Sequence, residues 1–147
     1  MKHSTPLKRK TPMIRRASKK APPRQEAKRL RDKLDRLVSR VVRSCGTCIA
    51  CGWESENGKV YACSQRLECA HIQTRGWLSI RHHPRNVLSL CNIHHRYFTQ
   101  HPKDWERFIE SKWPGRMDWL CELRRDPERE PMEYWFDYWT EKLKEAA

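Results

Sequence analysis

The sequence predicts a small α+β fold in which two short strands lie between helices. Three observations carry this expectation. In residues 25–43 the apolar residues recur at three- and four-residue spacing, the period of a helix packed on one side. Residues 67–72 and 84–90 hold short apolar runs near turn-forming residues, as strands do. From residue 103 onward, tryptophans and aliphatic residues return to helical spacing.

The chain has 147 residues, one domain's worth, and only 37% of it is hydrophobic. Its core must therefore be small, and small cores often need a metal ion or disulfides to hold. Seven cysteines make an odd number, and the opening MKHSTPLKRK carries no apolar leader. Metal binding is thus expected of the cysteines rather than a disulfide framework, in a cytoplasmic protein. No run of about 18 apolar residues is present, so no membrane-spanning helix is expected.

The formal charge of +13 is unevenly placed. Residues 1–44 hold 16 Lys and Arg against three acids, Glu26, Asp32 and Asp35, whereas the remainder holds 15 of each sign. Such an excess at one end implies a polyanionic partner, of which nucleic acid is the commonest. Residues 1–24 contain no acid and four prolines, and are expected to form a disordered basic arm that grips phosphates through residues such as Arg15, Arg16, Lys19 and Lys20. A merely solubilising terminus is the plainer alternative.

Residues 25–44 follow as an amphipathic basic helix. Leu30, Leu34, Leu37, Val38, Val41 and Val42 form its apolar face, expected to pack on a metal-binding module at residues 45–101. That module begins with Cys48-Ile-Ala-Cys51-Gly52, two thiolates presented by one turn, with glycine supplying the positive φ that follows. Cys45 sits three residues earlier with the same spacing, Cys45-x-x-Cys48, and competes with Cys48, but Gly52 directly after Cys51 favours the Cys48/Cys51 pair. A redox pair is the alternative use of such cysteines, but no βαβ pattern surrounds this one. Residues 54–65, with Asn57-Gly58, read as a turn between short strands, and Cys63 as a buried or free thiol.

Alternation puts Leu67, Cys69 and His71 on one side of the first strand. A loop with Arg75, Gly76, Trp77 and Arg81 leads to a second strand with Asn86 at its start. Ser89 is a candidate cap for a helix carrying Cys91, His94, His95 and Phe98. Residues 102–147 form a helical extension in three pieces, 103–113, 117–125 and 132–145. Their tryptophans are better suited to core than to base stacking. From Gln100 the chain holds 12 acids and nine bases, so this end serves as a buttress rather than a DNA surface.

Cys48 and Cys51 together with Cys91-x-x-His94 supply the four soft ligands of a tetrahedral Zn2+ site, with Cys69 able to replace one. His71, Asn86 and His95 are left over. Phosphodiester hydrolysis needs an activated water, charge stabilisation on the phosphate and help for the leaving oxygen, and histidine can act as the base near neutral pH.

His71-Ile72, Asn86 followed by Val-Leu-Ser-Leu, and Cys91-x-x-His94-His95 resemble the HNH endonucleases of the ββα-metal type. Fourteen residues separate His71 from Asn86 and eight separate Asn86 from His95, spacings similar to that family's. Within it, the chain resembles phage recombination nucleases of the NinG/Rap kind, which act on branched DNA. The resemblance covers about residues 48–113. It implies that His71 is the general base, that Asn86 holds the loop and orients His71 or contacts the metal, and that His95 is a ligand of a catalytic Mg2+ or Mn2+. Arg75 and Arg81 are placed by charge and position to hold the scissile phosphate.

Two positions depart from the family pattern. Ala70 stands where many members have Asp or His as a metal ligand, and Thr99 stands one turn after His95 where a further histidine can occur. The catalytic ion would then depend on phosphate and water, or on Cys69 or His71. The expectation is a metal-dependent DNA endonuclease acting on duplex or branched DNA, with a homodimer as a possible assembly. A zinc-finger protein that binds nucleic acid without cutting is the alternative, and a zinc-stabilised protein-interaction domain the third reading.

Overall fold

The computed structural model describes residues 23–125 and 130–146. Helix α1 (Arg24–Ser44) starts after Pro23, with Glu26 in its first turn and Arg43 in its last, each complementing the helix dipole. Its apolar stripe buries Leu34 and Val38 completely or nearly so. The stripe packs on Val87 and Cys69, within residues 45–101 as expected, and also on Trp135 and Trp139 of the last helix, which the sequence did not indicate. Two tryptophans supply the large apolar area that a strand pair alone cannot offer.

Strands β1 (Leu67–His71) and β2 (Val87–Cys91) pair antiparallel, from Leu67 opposite Cys91 to His71 opposite Val87. The period of two divides their side chains between two layers. Cys69 and Val87 face the cluster built by α1 and α5 (Met132–Glu145), while Ala70, Leu88 and Leu90 join the other core. That second core is formed with α2 (Asn92–Gln100), α3 (Pro102–Lys112) and α4 (Arg116–Leu123). Phe98 of α2 stacks on Phe108 of α3 at 5.1 Å between ring centroids, and Trp53 lies 5.0 Å from Phe98.

Several local expectations are modified. Ser89 is buried within β2 and caps nothing; the Cys91 sulfur caps α2 by accepting from the His94 N–H at 3.5 Å. A thiol does this work because the same residue must both end the strand and start the helix. Residues 54–65 form no named strands but a single bridge between Glu54 and Val60, closed by Gly58 at φ 72°. Pro114-Gly115 does break the helices, with Gly115 at φ 74°. Among the described residues, no helix is long and apolar enough to cross a membrane.

Candidate metal centre and active-site cleft

The cysteine turn is fixed to the sheet by the Ile49 N–H, which donates to the Ser89 carbonyl at 3.0 Å. This brings Cys48 over the β2–α2 junction, where Cys91 and His94 lie three residues apart. His94 Nδ1 is 3.1 Å from the Cys91 sulfur, 3.6 Å from that of Cys48 and 3.7 Å from that of Cys63. All four ligand atoms lie within 4.8 Å of one another. A tetrahedral zinc with usual bond lengths has S···N edges of about 3.6 Å, so the donor set and its spacing fit such an ion.

The gathered set differs by one member from the expected Cys48, Cys51, Cys91 and His94. Cys63 takes the place expected of Cys51, because its segment is drawn over α2. The Tyr61 ring lies 4.6 Å from that of Tyr97, and the Ser64 hydroxyl donates to Asn92 Oδ1. Cys51 is exposed at the rim beside Cys63, and Gly52 has the expected positive φ, 76°. Spacing could not reveal Cys63, since a ligand delivered by a long loop has no sequence partner. Cys45 and Cys69 stay outside the cluster: Cys45 is exposed, and Cys69 faces α1.

The thiols respond to this crowding. Burial pushes the Cys91 thiol up, but hydrogen bonds from backbone N–H groups and the His94 imidazole outweigh it, bringing the group down to about 6. Burial and the neighbouring Cys51 and Cys48 thiols push Cys63 well above the usual range. A cation among them would reverse that repulsion and favour thiolates.

The second group of residues meets at the far end of β1. His71 and His95 line one cleft of about 150 Å3, with Ala70, Leu90, Phe98, Thr99 and Trp105. His71 Nε2 lies 3.2 Å from the Arg81 carbonyl oxygen. Since a carbonyl only accepts, Nε2 carries the proton and Nδ1 is left as the basic atom. Burial, followed by the charge of Arg75, lowers His71 to about 4, so its imidazole is neutral at neutral pH.

His95 Nδ1 is 2.7 Å from Glu68 Oε2, which leaves Nε2 for a metal or phosphate. Glu68 precedes Ala70 by two positions and so lies on the same side of β1. It places a carboxylate beside His95 that the motif spacing did not single out. A ligand set of one imidazole with a carboxylate behind it suits an ion that keeps waters and takes substrate phosphate oxygens.

Asn86 is completely buried, and its amide is committed to the loop. Oδ1 accepts from the Gln73 N–H at 2.7 Å, while Nδ2 donates to the carbonyls of Gln73 at 3.1 Å and Ile80 at 3.0 Å. Of the expected roles, these bonds serve loop holding. Arg81 also departs from expectation. Its guanidinium binds Asp35 at 2.9 and 2.5 Å and the Arg75 carbonyl at 2.7 Å, so it is not available to grip phosphate. Arg75 is exposed beside the base. Arg15, Arg16, Lys19 and Lys20 lie outside the described residues.

No curated protein and no solved structure gave a match to this chain. Residues 48–102, the stretch that holds the cysteine cluster, His71, Asn86 and His95, match the family model of the HNH endonucleases, HNH_2.

Proposed function

We propose that the protein is a metal-dependent DNA endonuclease that hydrolyses phosphodiester bonds. The observation that carries this reading is the pairing of a half-buried, neutral His71 with His95 across one cleft, inside the stretch that matches the HNH endonucleases. His71 Nδ1 takes a proton from the attacking water, while the Arg81 carbonyl holds the ring by its other nitrogen. His95, its ring fixed from behind by Glu68, would hold a divalent ion, Mg2+ or Mn2+. Such an ion supplies charge stabilisation at the phosphate and the leaving oxygen. Asn86 keeps the loop in register with the strand end, and Cys48, Cys63, Cys91 and His94 would hold a Zn2+ that fixes the start of α2.

DNA is the partner. The outward face of α1 presents Lys28, Arg29, Lys33, Arg36, Arg40 and Arg43 to solvent. A shallow groove of about 680 Å3 lined by Arg24, Lys28 and Arg31 runs up to Arg81. These groups, with the basic residues 1–22, track the phosphate backbone without reading bases, which suits an enzyme that recognises duplex or branched shape. Action on recombination intermediates of a phage belongs to the same reading, on the resemblance of motif and spacing.

The test is nicking of supercoiled plasmid by the zinc-loaded protein with Mg2+, with Mn2+, and with a chelator that spares the bound zinc. Nicking that requires the added ion supports the proposal. DNA binding with no cutting under any of these conditions overturns it in favour of a binding protein.

A further inference from the structure

Asp35 is on α1, well outside the stretch that matches the HNH endonucleases, yet three donors from the active-site loop converge on it. Arg81 Nε donates to Oδ1 at 2.9 Å and Arg81 Nη2 to Oδ2 at 2.5 Å, while His82 Nε2 reaches Oδ1 at 2.7 Å. The third guanidinium nitrogen of Arg81 donates to the Arg75 carbonyl at 2.7 Å, folding the loop back on itself. His82 is buried, and its carbonyl accepts from Trp139 Nε1 at 2.9 Å, so α5 holds the same dipeptide from its other side. The carbonyl of Arg81 is the group that accepts from His71 Nε2.

These contacts form one continuous path from α1 to the imidazole of His71. Asp35 and His71 also line the same small cavity, of about 70 Å3, with Arg75 and His82. We infer that Asp35 is a positioning residue for the reaction: by fixing Arg81 with both carboxylate oxygens, it fixes the carbonyl that sets the tautomer and orientation of His71. The inference rests on the reading of His71 as the general base. A bidentate arginine–carboxylate pair suits such work because its planar fork removes rotational freedom that a single contact would leave. The carboxyl of Asp35 is held well below the usual carboxylate range: burial raises it, but the hydrogen bonds and charges of Arg81 and His82 prevail. The pair therefore stays ionised throughout the working pH range. On this inference α1 is part of the catalytic apparatus and more than a DNA-facing addition.

The experiment compares full-length, zinc-loaded wild type with Asp35→Asn, Arg81→Lys and Leu34→Ala, reading plasmid nicking and the 15N resonances of the His71 ring at neutral pH. Asp35→Asn keeps the shape but loses the charge, and Arg81→Lys keeps the charge but loses the fork, so the inference survives if either one fails to fold. Leu34→Ala weakens the α1–α5 packing without touching Arg81. Both polar variants are expected to lose about tenfold to a hundredfold in kcat with KM within about twofold, and to show a mixture of His71 tautomers. Leu34→Ala should lower Tm, yet keep kcat per folded molecule and the single tautomer protonated at Nε2. A purely structural latch would give the opposite pattern, with stability lost and kcat and tautomer unchanged in every variant; that result overturns the inference. Absence of nicking in wild type would overturn the nuclease reading instead. The ring resonances then still decide whether Asp35 sets His71.

Discussion

At the scale of single residues, the cleft depends on two histidines held by different means. His71 is held by a backbone carbonyl and kept neutral by burial, while His95 is held by the Glu68 carboxylate. The free-enzyme pH profile of nicking should report the first of these. A base must be unprotonated to act, so kcat/KM is expected to fall as pH drops through about 4, well below the ordinary imidazole value of 6.5. Stability moves in the same direction. Between those two values the unfolded chain binds the His71 proton and the folded chain does not, so unfolding free energy from His71 rises with pH across that window and is flat above it. Denaturant melts from pH 4 to 7 would measure this. Asn86 contributes differently, with four hydrogen-bonding roles counted over its side chain and backbone carbonyl. Its amide closes residues 73–80, and its carbonyl accepts from Ile72 N–H at 2.8 Å. Asn86→Ala strands buried backbone groups and should cost about 2–4 kcal/mol of stability along with activity, measured by chemical denaturation.

At the scale of elements, the cysteine cluster joins the 48–51 turn, the 61–65 segment and the start of α2. One zinc per chain is expected by metal analysis, with a large drop in Tm on chelation. Cys63→Ser should lose most of that zinc, whereas Cys51→Ser should retain it; the reverse result would restore the set expected from spacing. The contrast shows what the sequence reveals and what it hides. Cys91 and His94 were legible because both lie within one helical turn, and Cys48 because a glycine-closed turn marks it. Cys63 was not, because Tyr61 packing on Tyr97 and the Ser64–Asn92 bond place it, and both are tertiary events. Helical periodicity likewise located α1 and α5 nearly to the residue but gave no hint that they pack on each other, since an apolar stripe does not name its partner. Leu34→Ala, at the centre of that contact, should cost about 3 kcal/mol by urea unfolding.

At the scale of the molecule, the two-stranded sheet divides two apolar layers and carries the candidate chemistry at its ends. The cysteine cluster lies at the β2–α2 junction, and the His71–His95 cleft at the far end of β1. The basic surface was legible from composition, but its division of labour was not. Arg81 stood out as a phosphate ligand by charge and position, and only the fold brings Asp35, 46 residues away in sequence, to occupy it. Removing residues 1–22, which contain eight Lys and Arg, should weaken DNA binding and flatten its salt dependence while leaving kcat unchanged. Binding isotherms at several salt concentrations would read this directly. Single-turnover nicking with His71→Ala tests the claim that this arrangement cuts DNA with His71 as its base. The expected result is a loss of about 10²- to 10⁴-fold in rate, with zinc content and DNA affinity preserved. Cutting at the wild-type rate by that variant would contradict the claim.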